Sequence, residues 1–431
     1  MIFSGAHRFG SSWVRGRGRV AVFVVAATCV FVGATAGVSA RQSQRAGAAV
    51  PSRGVAGQKF TALAAKVLSR PSAVRGSDGR FHIAYELVLT NMTQFDVNVE
   101  RIEVRDAKTH KVLQSLAGPA LSSRMNPIAA SNTGREPADP ALMRSSGSSI
   151  VWFDVTVRRK ADVPKGLEHL VVASTLPMAG QQAARFSSLV ARVSLRSRAP
   201  VVLGPPVRGG IWMALEGCCD FNTHHRRGLL SVDGNLVVPQ RFAIDWIKLD
   251  RQHRAWVGHP ARLTSYFSYG QPELAVAAGT IVIARDGIPN APPPHDPTPP
   301  PLPRLTGNYV ELRVGPGIYV TYAHMKPGSV RVHVGQHVRR GQLLGELGNS
   351  GNSATPHLHL QVQITRSFIS DGLPYVFNRF NLLGEITETV SDSNLGLRAN
   401  GKLPFAPARH PGIRRLEMPL SESVVRFSKA R

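Results

Sequence analysis

Cysteine is scarce in this sequence, with three residues among 431. Cys29 lies in an apolar segment near the N-terminus, which leaves the adjacent pair Cys218 and Cys219 in the rest of the chain. Two cysteines cannot form the multiple disulfides that stabilise small secreted domains. The pair is compatible with one vicinal bridge and equally with two ordinary small apolar residues.

Acidic residues are the second shortage. The sequence has 27 Asp and Glu against 52 Lys and Arg, which gives a formal net charge of +25 at pH 7. Such a charge favours polyanionic partners in general. No nucleic-acid partner is predicted, because the sequence has no recognition-helix pattern and no aromatic RNA-binding signature. Acidic polymers of the cell envelope or anionic lipids are the expected partners.

The sequence also lacks the motifs of two large enzyme classes. It contains no P-loop, no dinucleotide-binding glycine fingerprint and no Gly-x-Ser-x-Gly elbow. These absences argue against nucleotide chemistry and against serine hydrolysis. No nucleotide partner is therefore predicted.

One long apolar run is present, and it lies near the N-terminus. It spans residues 20–38, follows three arginines and leads into a small-x-small pattern that ends at Ala40. This arrangement predicts a signal peptide or a membrane anchor over residues 1–40. Residues 41–59 are small, polar and basic, and are predicted to form a linker. We therefore expect an exported protein that is periplasmic, attached to the cell envelope or secreted.

Alternating apolar and polar residues characterise residues 60–200. Every second residue from Phe81 to Leu89 is apolar, which is the pattern of a half-buried strand. The apolar phase shifts by one residue between Val99 and Ile102, which predicts a β-bulge. These short strands, separated by Gly, Ser, Asn and Pro, predict an antiparallel sandwich of immunoglobulin-like type. A binding, spacer or inhibitory role is expected for it.

A second β-rich domain is predicted for residues 205–385, after a boundary rich in Pro and Gly. Two alternating runs joined by Gly315-Pro316-Gly317 predict a β-hairpin. The predicted fold class is therefore all-β, with two folded domains. Residues 386–431 are polar and basic, and are predicted to form a tail that either adds one edge strand or stays mobile.

A histidine pair stands out in the second domain. His357 and His359 are separated by one residue and follow a loop rich in Gly, Ser and Asn. In a strand both imidazoles lie on one face together with Gln361 and Gln363, while Leu358 and the following alternate residues face the core. The pair is compatible with a metal site and equally with a solvated strand face.

The surrounding segments carry a family resemblance. Residues 322–325 have the form Tyr-x-His-Met, residues 335–341 the form Gly-x-x-Val-x-x-Gly, and residues 348–351 the form Gly-x-Ser-Gly, ahead of His-Leu-His. With these motifs the sequence resembles the zinc metallopeptidases of the M23 family, the lysostaphin and LytM type. The resemblance extends over about residues 240–364. It implies an antiparallel β-sheet peptidase domain and Zn²⁺ as the cofactor.

The resemblance also implies roles for individual residues. His359 is expected to bind zinc, and Asp245 to be the acidic ligand. His324 and His357 are expected to form a second-sphere pair beside the scissile carbonyl. The implied reaction is endopeptidase cleavage within the cross-links or bridges of peptidoglycan, which is the implied partner.

One member of the family's ligand set is missing from its usual position. The family's His-x-x-x-Asp motif has a histidine where this sequence has Arg241, four residues before Asp245. A guanidinium group stays protonated and offers no lone pair to a cation. In the first explanation His224 or His225 supplies the imidazole, from a strand that turns at Val-Asp-Gly-Asn and runs beside the strand of Asp245. In the second, the site is degenerate and binds no catalytic metal.

The sequence therefore predicts an exported zinc metalloendopeptidase that cleaves peptide cross-links in bacterial peptidoglycan. The alternative is a catalytically degenerate M23-like domain that binds the cell wall or activates another wall hydrolase. A third hypothesis is a structural envelope protein whose basic surface holds acidic polymers.

Overall fold

The computed structural model describes residues 60–128, 139–176, 182–294, 301 and 304–427. Strands dominate these ranges, and each of their three α-helices is a single turn. This composition confirms the predicted all-β class. The predicted export segment and linker, residues 1–59, lie outside the described residues. Within the described ranges, no helix is long and apolar enough to cross a membrane.

The short helices all lie in connections between strands. The α-helices are α1 (Pro119–Ser122), α2 (His224–Arg227) and α3 (Asp392–Leu395), and 3-10 turns occupy Lys160–Asp162, Leu263–Ser265 and Ala399–Gly401.

Ten strands form the first part of the described chain. They are β1 (Leu63–Val67), β2 (Ala73–Arg75), β3 (Phe81–Asn91), β4 (Val97–Asp106), β5 (Val112–Ala117), β6 (Met125–Pro127), β7 (Leu142–Met143), β8 (Ser148–Val157), β9 (Gly166–Thr175) and β10 (Arg185–Ser194). One sheet has the order β1-β3-β8-β6 with β2 beside β3, and the other has the order β10-β9-β4-β5 with β7 beside β4.

Both of these sheets contribute to one apolar core, and we call this part the sandwich. Alternate residues of β3 and β8 face the core from one sheet, and alternate residues of β4 and β9 face it from the other. The register between β4 and β9 shifts between Val99 and Arg101, which confirms the predicted bulge. The immunoglobulin-like topology stays a prediction.

Sixteen strands follow in the second part. They are β11 (Val201–Leu203), β12 (Ile211–Leu215), β13 (Leu230–Val232), β14 (Asn235–Val237), β15 (Ile244–Leu249), β16 (Pro272–Leu274), β17 (Gly279–Arg285), β18 (Asn308–Gly315), β19 (Ile318–Met325), β20 (His337–Val338), β21 (Leu343–Glu346), β22 (Leu358–Gln363), β23 (Tyr375–Phe377), β24 (Phe380–Ile386), β25 (Phe405–Arg414) and β26 (Ser423–Arg426).

An antiparallel ten-stranded sheet dominates this second part. Its order is β20-β17-β18-β19-β22-β15-β12-β26-β24-β25. The hairpin predicted around Gly315-Pro316-Gly317 is confirmed as β18 and β19. In β22 the apolar residues Leu358, Leu360 and Val362 pack into the main core on one face of the sheet. The polar residues of β22 therefore lie on the opposite face, as their alternation predicts.

The C-terminal segment differs from the predicted basic tail. Both β25 and β26 belong to the ten-stranded sheet, and β26 lies between β12 and β24 rather than at an edge. Val424, Val425 and Phe427 are buried there, which supplies the apolar contacts that hold the strand. Three apolar residues among four outweigh the basic composition of the segment as a whole.

Candidate metal centre

Three neighbouring strands bring the predicted site residues together. Asp245 on β15 pairs directly with His359 on β22, and His359 pairs on its other side with Ala323 on β19. His324 is the next residue of β19, and His357 immediately precedes β22. The sheet register therefore brings residues as far apart in sequence as Asp245 and His359, 114 positions, to one place on its polar face.

His225 completes the group from a helix. The segment His224–Arg227 forms α2, and the Thr223 side chain accepts a hydrogen bond from the Arg226 amide as its N-cap. Nε2 of His225 lies 3.3 Å from Oδ2 of Asp245. The prediction that this segment is a strand beside β15 is wrong, because the Val-Asp-Gly-Asn turn joins β13 to β14 further along the chain.

His224 points to a different partner. Its Nδ1 contacts the carboxylate of Glu216, and half of its side chain (51%) is exposed. Neighbouring residues on a single helical turn face different directions, so only one histidine of the pair can address Asp245. Of the two candidates for the missing imidazole, His225 is therefore the one that the fold brings to the aspartate.

The hydrogen bonds of His225 define which ring nitrogen carries the proton. Nδ1 lies 2.9 Å from the carbonyl oxygen of Glu216, to which it must donate. Nε2 of the neutral ring is then a bare lone pair. It is one of the buried atoms that have no hydrogen-bond partner among the described residues, and it faces the carboxylate of Asp245.

The tautomer of His359 follows from a glutamine on the same strand face. The side-chain amide of Gln361 donates to the carbonyl oxygen of Phe368 at 2.7 Å, so its Oε1 is the atom that faces His359. Nε2 of His359 donates to this oxygen at 3.0 Å. In the neutral ring Nδ1 therefore carries the lone pair, and it lies 2.8 Å from Oδ1 of Asp245, a distance that calls for a proton or a cation between the two atoms.

In the neutral forms of the two rings, three electron-rich groups thus converge on one point. The ligand atoms of His225, Asp245 and His359 lie within 4.8 Å of one another, and all three residues are buried. Lone pairs brought together in this way repel one another unless a cation lies among them. Two imidazole nitrogens and one carboxylate oxygen form a donor set that zinc uses in three-ligand sites. The residues present therefore fit a divalent cation of this kind.

The electrostatics of Asp245 favour its anionic form. Burial raises the pKa of the carboxyl group, but positive charge on the ring of His357, and then on those of His225 and His359, outweighs burial and holds the pKa well below its usual value. A bound cation would act in the same direction, so Asp245 is available as an anionic ligand.

His324 and His357 form a second pair on the same face. Nδ1 of His324 donates to the carbonyl oxygen of Ser350 at 2.8 Å, and Nδ1 of His357 donates to that of Thr355 at 2.7 Å. Their ring centres are 4.8 Å apart. Burial, followed by the neighbouring imidazoles, holds the pKa of His324 well below its usual value. His324 is therefore neutral, with its Nε2 lone pair free to accept a proton.

A cavity of about 260 Å³ opens beside these five residues. Its lining includes four of them, Asp245, His324, His357 and His359. His224 also lines the cavity, although it does not contact Asp245. Apolar residues complete the wall, among them Leu230, Leu305, Phe368 and Ile369. The site therefore combines candidate metal ligands and proton acceptors with an adjoining cavity of mixed polar and apolar lining.

Arg241 is turned away from Asp245. Its guanidinium makes paired hydrogen bonds to the carboxylate of Glu86 in the sandwich, at 2.6 and 3.0 Å, and a further bond to Asp371 at 2.7 Å. The position that carries a histidine in the resembling family is therefore used for a buried ion pair. The sequence gives no local signal for this pairing, because Glu86 lies 155 residues away.

Sequence reasoning also missed two groups that orient the ligands. Gln361 was placed on the histidine face by alternation, but its bond to His359 depends on the Phe368 carbonyl, which lies beyond the strand. Glu216 orients His225 through a backbone carbonyl, which any residue type could provide. No sequence signal could have identified the second of these groups.

Comparison with known proteins gives one family match. Residues 264–370 match the model of peptidase family M23, which confirms the resemblance stated from the sequence. The match includes His324, His357 and His359, whereas His225 and Asp245 precede it. A peptidase or related function follows for this region.

Two solved structures are also similar to the chain. The catalytic domain of the antimicrobial peptidase lysostaphin from Staphylococcus simulans is 26% identical over 26% of this chain and 80% of its own, with a TM-score of 0.17. A zinc containing peptidase from Vibrio cholerae is 12% identical over 68% of this chain and 82% of its own, with a TM-score of 0.20. Both TM-scores are low, so these two structures carry no argument about the function of this chain.

Proposed function

We propose, from the match of residues 264–370 to peptidase family M23, that this chain is an exported zinc metalloendopeptidase that cleaves peptide cross-links in bacterial peptidoglycan. One observation carries the proposal. His225, Asp245 and His359 direct three lone pairs at a common point beside a cavity that also contains a second histidine pair.

His225, Asp245 and His359 would hold the Zn²⁺ ion in this proposal. Zinc bound by three protein ligands supplies a Lewis acid that polarises a peptide carbonyl and makes water more acidic. The protein's own task is to keep the ligands deprotonated and oriented. The carbonyl of Glu216 and the amide of Gln361 do this by accepting the N–H groups on the far sides of the two imidazoles.

Proton transfer is assigned to His324 and His357. As a neutral base, His324 can accept a proton from the water that attacks the peptide carbon. The imidazolium formed in this step can donate a hydrogen bond to the carbonyl oxygen as negative charge develops there. It can then return the proton to the leaving nitrogen, so that the products are an amine and a carboxylic acid, which ionises to the carboxylate.

The substrate and the location come from the family resemblance and from the sequence. Peptidoglycan is the substrate class that the resemblance implies, and an exported protein meets it outside the cytoplasmic membrane. The net charge of +25 favours association with acidic polymers of the cell envelope. We propose these polymers as additional partners that retain the protein at the wall.

The alternative of a degenerate, wall-binding domain was motivated by Arg241 at the position of a family ligand. His225 supports the enzymatic proposal over this alternative, because it brings an imidazole with a free lone pair to 3.3 Å from Asp245. The donor set is thereby complete without residue 241.

The adjacent histidines of α2 provide a matched experiment. We expect purified wild-type protein to release cross-link fragments from peptidoglycan, to lose this activity with a chelator and to regain it with zinc. His225→Ala should lose both the bound zinc and the release of fragments, whereas His224→Ala should keep both. The two substitutions remove the same group from neighbouring positions, so general effects on α2 are controlled.

Two outcomes contradict the proposal. Zinc-loaded wild-type protein that binds peptidoglycan but releases no fragments is a wall-binding protein rather than a peptidase. Equal zinc binding by the wild type and His225→Ala would show that the ligand set is wrong.

A further inference from the structure

The helix α2 divides its four side chains between two parts of the molecule. Its sequence is His-His-Arg-Arg, and His225 faces the metal centre. The two arginines that follow reach into the sandwich. Arg227 donates to the carbonyl oxygen of Ser123 at 2.8 Å and to the side chain of Asn126. One helical turn therefore contacts both the metal centre and the sandwich.

Arg226 makes the deeper of these contacts. Its side chain is fully buried, and its Nη2 lies 3.1 Å from the carbonyl oxygen of Phe153 on β8 and 3.4 Å from Oε1 of Glu86 on β3. Its Nη1 donates to the carbonyl oxygen of Cys219 at 3.3 Å. Arg226 thus connects the residue next to His225 with two sandwich strands.

Glu86 receives a second arginine from the segment that leads into β15. Arg241 donates to both carboxylate oxygens of Glu86, and Arg241 lies four residues before Asp245. Asp371 accepts a further bond from Arg241. We call Glu86, Arg226, Arg241 and Asp371 the Glu86 cluster. It contains two acids and two bases, so its formal charge is balanced in the protein interior.

The position of His225 needs this external support. An isolated helix of one turn is unstable, because forming the first turn costs more entropy than its single hydrogen bond returns. Within α2 the local stabilisation comes from the Thr223 cap. The carboxylate of Glu86 contacts both chain segments that carry the ligands His225 and Asp245. Its partner Arg226 directly follows His225, and its partner Arg241 lies four residues before Asp245.

We propose that Glu86 of the sandwich is a positioning residue for the metal ligand His225, so that the sandwich is a structural part of the metal centre. This inference rests on the proposed zinc-binding function. It explains why this chain can dispense with a histidine at position 241: the arginine there binds Glu86, and the same carboxylate holds the helix that supplies the replacement ligand.

The test compares two buried sandwich carboxylates. Glu86→Gln removes the charge that holds α2, whereas Glu168→Gln removes an equally buried charge on β9 whose partner is His110. We expect Glu86→Gln to weaken zinc binding by about 10- to 100-fold, as measured by competition with a chromophoric chelator. Glu168→Gln should bind zinc like the wild type. Unchanged zinc affinity in folded Glu86→Gln protein would overturn the proposal.

A second readout does not depend on metal. Hydrogen exchange of the backbone amides of residues 223–228 in the zinc-free protein should become faster in Glu86→Gln and stay unchanged in Glu168→Gln. If Glu86→Gln does not fold, Arg226→Gln tests the same anchor from the α2 side: it removes the bond to Glu86 together with those to the carbonyl oxygens of Phe153 and Cys219, and leaves the bond between Glu86 and Arg241 in place. Unchanged exchange of these amides in the variant would reject the positioning role.

These readouts separate two failures. If the wild type binds no zinc but exchange in α2 still depends on Glu86, the zinc function fails while Glu86 retains its role in placing His225. If the wild type binds zinc, and Glu86→Gln changes neither zinc affinity nor hydrogen exchange in α2, the positioning proposal fails and the zinc function stands.

Discussion

The sandwich and the ten-stranded sheet both bury histidines, and they satisfy them differently. In the sandwich, Nδ1 of His169 donates to the carbonyl oxygen of Ala191 at 3.2 Å, and Nε2 accepts from the hydroxyl of Tyr85 at 2.8 Å. In the sheet region, His225 uses Nδ1 alone and leaves Nε2 without a partner among the described residues. Both ring nitrogens of His169 are hydrogen-bonded within the protein, whereas Nε2 of His225 retains a lone pair that can bind a ligand.

Burial and pKa do not distinguish the two classes of histidine. Burial lowers the pKa of His169 to about 4, and it also lowers the pKa of His324 well below its usual value. Both rings are neutral at pH 7. The partners of the ring nitrogens, rather than burial or pKa, therefore separate the structural His169 from the candidate ligand His225.

Replacing one histidine of each class by mutation gives the largest expected effect on zinc affinity. His359→Ala should lower zinc affinity by more than about 100-fold, because it removes a ligand rather than a residue behind a ligand. The same substitution should leave the zinc-free protein folded. His169→Phe should leave zinc affinity unchanged and lower the free energy of unfolding by about 1–3 kcal/mol, because the hydroxyl of Tyr85 loses its acceptor.

Zinc titration and urea unfolding of both variants check this crossed pattern. The distinction between structural and metal-binding histidines is wrong if His169→Phe weakens zinc binding, or if His359→Ala retains it.

The next largest expected effect is the pH dependence that two sandwich histidines give to the free energy of unfolding. Burial lowers the pKa of His82, but hydrogen bonds to Asp154 and Asp78 outweigh it and raise the pKa to about 9. A raised pKa contributes stability that is present below pH 6.5 and lost as the pH rises towards 9. The lowered pKa of His169, about 4, has the opposite effect, because stability falls as the pH drops from 6.5 towards 4.

The combined contribution of these two histidines to the free energy of unfolding should therefore be greatest near pH 6.5. Each histidine should change the free energy of unfolding by on the order of 3 kcal/mol across its own range. His82→Gln should flatten the alkaline side of the curve, and His169→Phe the acid side. A curve that keeps both slopes in these variants would assign the pH dependence to other groups.

Gln361→Leu should have the smallest effect of the series. The substitution removes the oxygen that fixes the His359 tautomer while keeping a side chain of similar size. Zinc affinity should fall by about 10-fold, the lower end of the range for residues behind a ligand. The ¹⁵N chemical shifts of the His359 ring in the zinc-free protein should show a loss of the Nε2–H form. Gln114→Leu, which changes a part-buried glutamine in the sandwich, is the matched control and should bind zinc normally.

The local features of the sequence predicted much of the sheet and part of the site. Alternation in β22 placed both histidines and both glutamines on one face because a strand has a period of two residues. The bulge in β4 followed from the same rule. Two histidines and one aspartate on adjacent strands were also predicted, since the family resemblance supplied the pairing that periodicity cannot.

Non-local contacts explain what the sequence did not predict. The segment His224–Arg227 has no periodicity of its own and forms a helical turn between the sandwich and the sheet. It is anchored to residues that are 73 to 140 positions away. The choice of His225 over His224 depends on the direction of that turn. Likewise, the C-terminal strand β26 enters the sheet between β12 and β24, an insertion that only the assembled fold specifies.

The most direct test of the account is a crystal of the zinc-loaded protein measured on both sides of the zinc absorption edge. We predict one anomalous peak per chain, within bonding distance of Nε2 of His225, a carboxylate oxygen of Asp245 and Nδ1 of His359. A peak beside Glu216 and His224, or no peak in protein that has been supplied with zinc, would contradict the account.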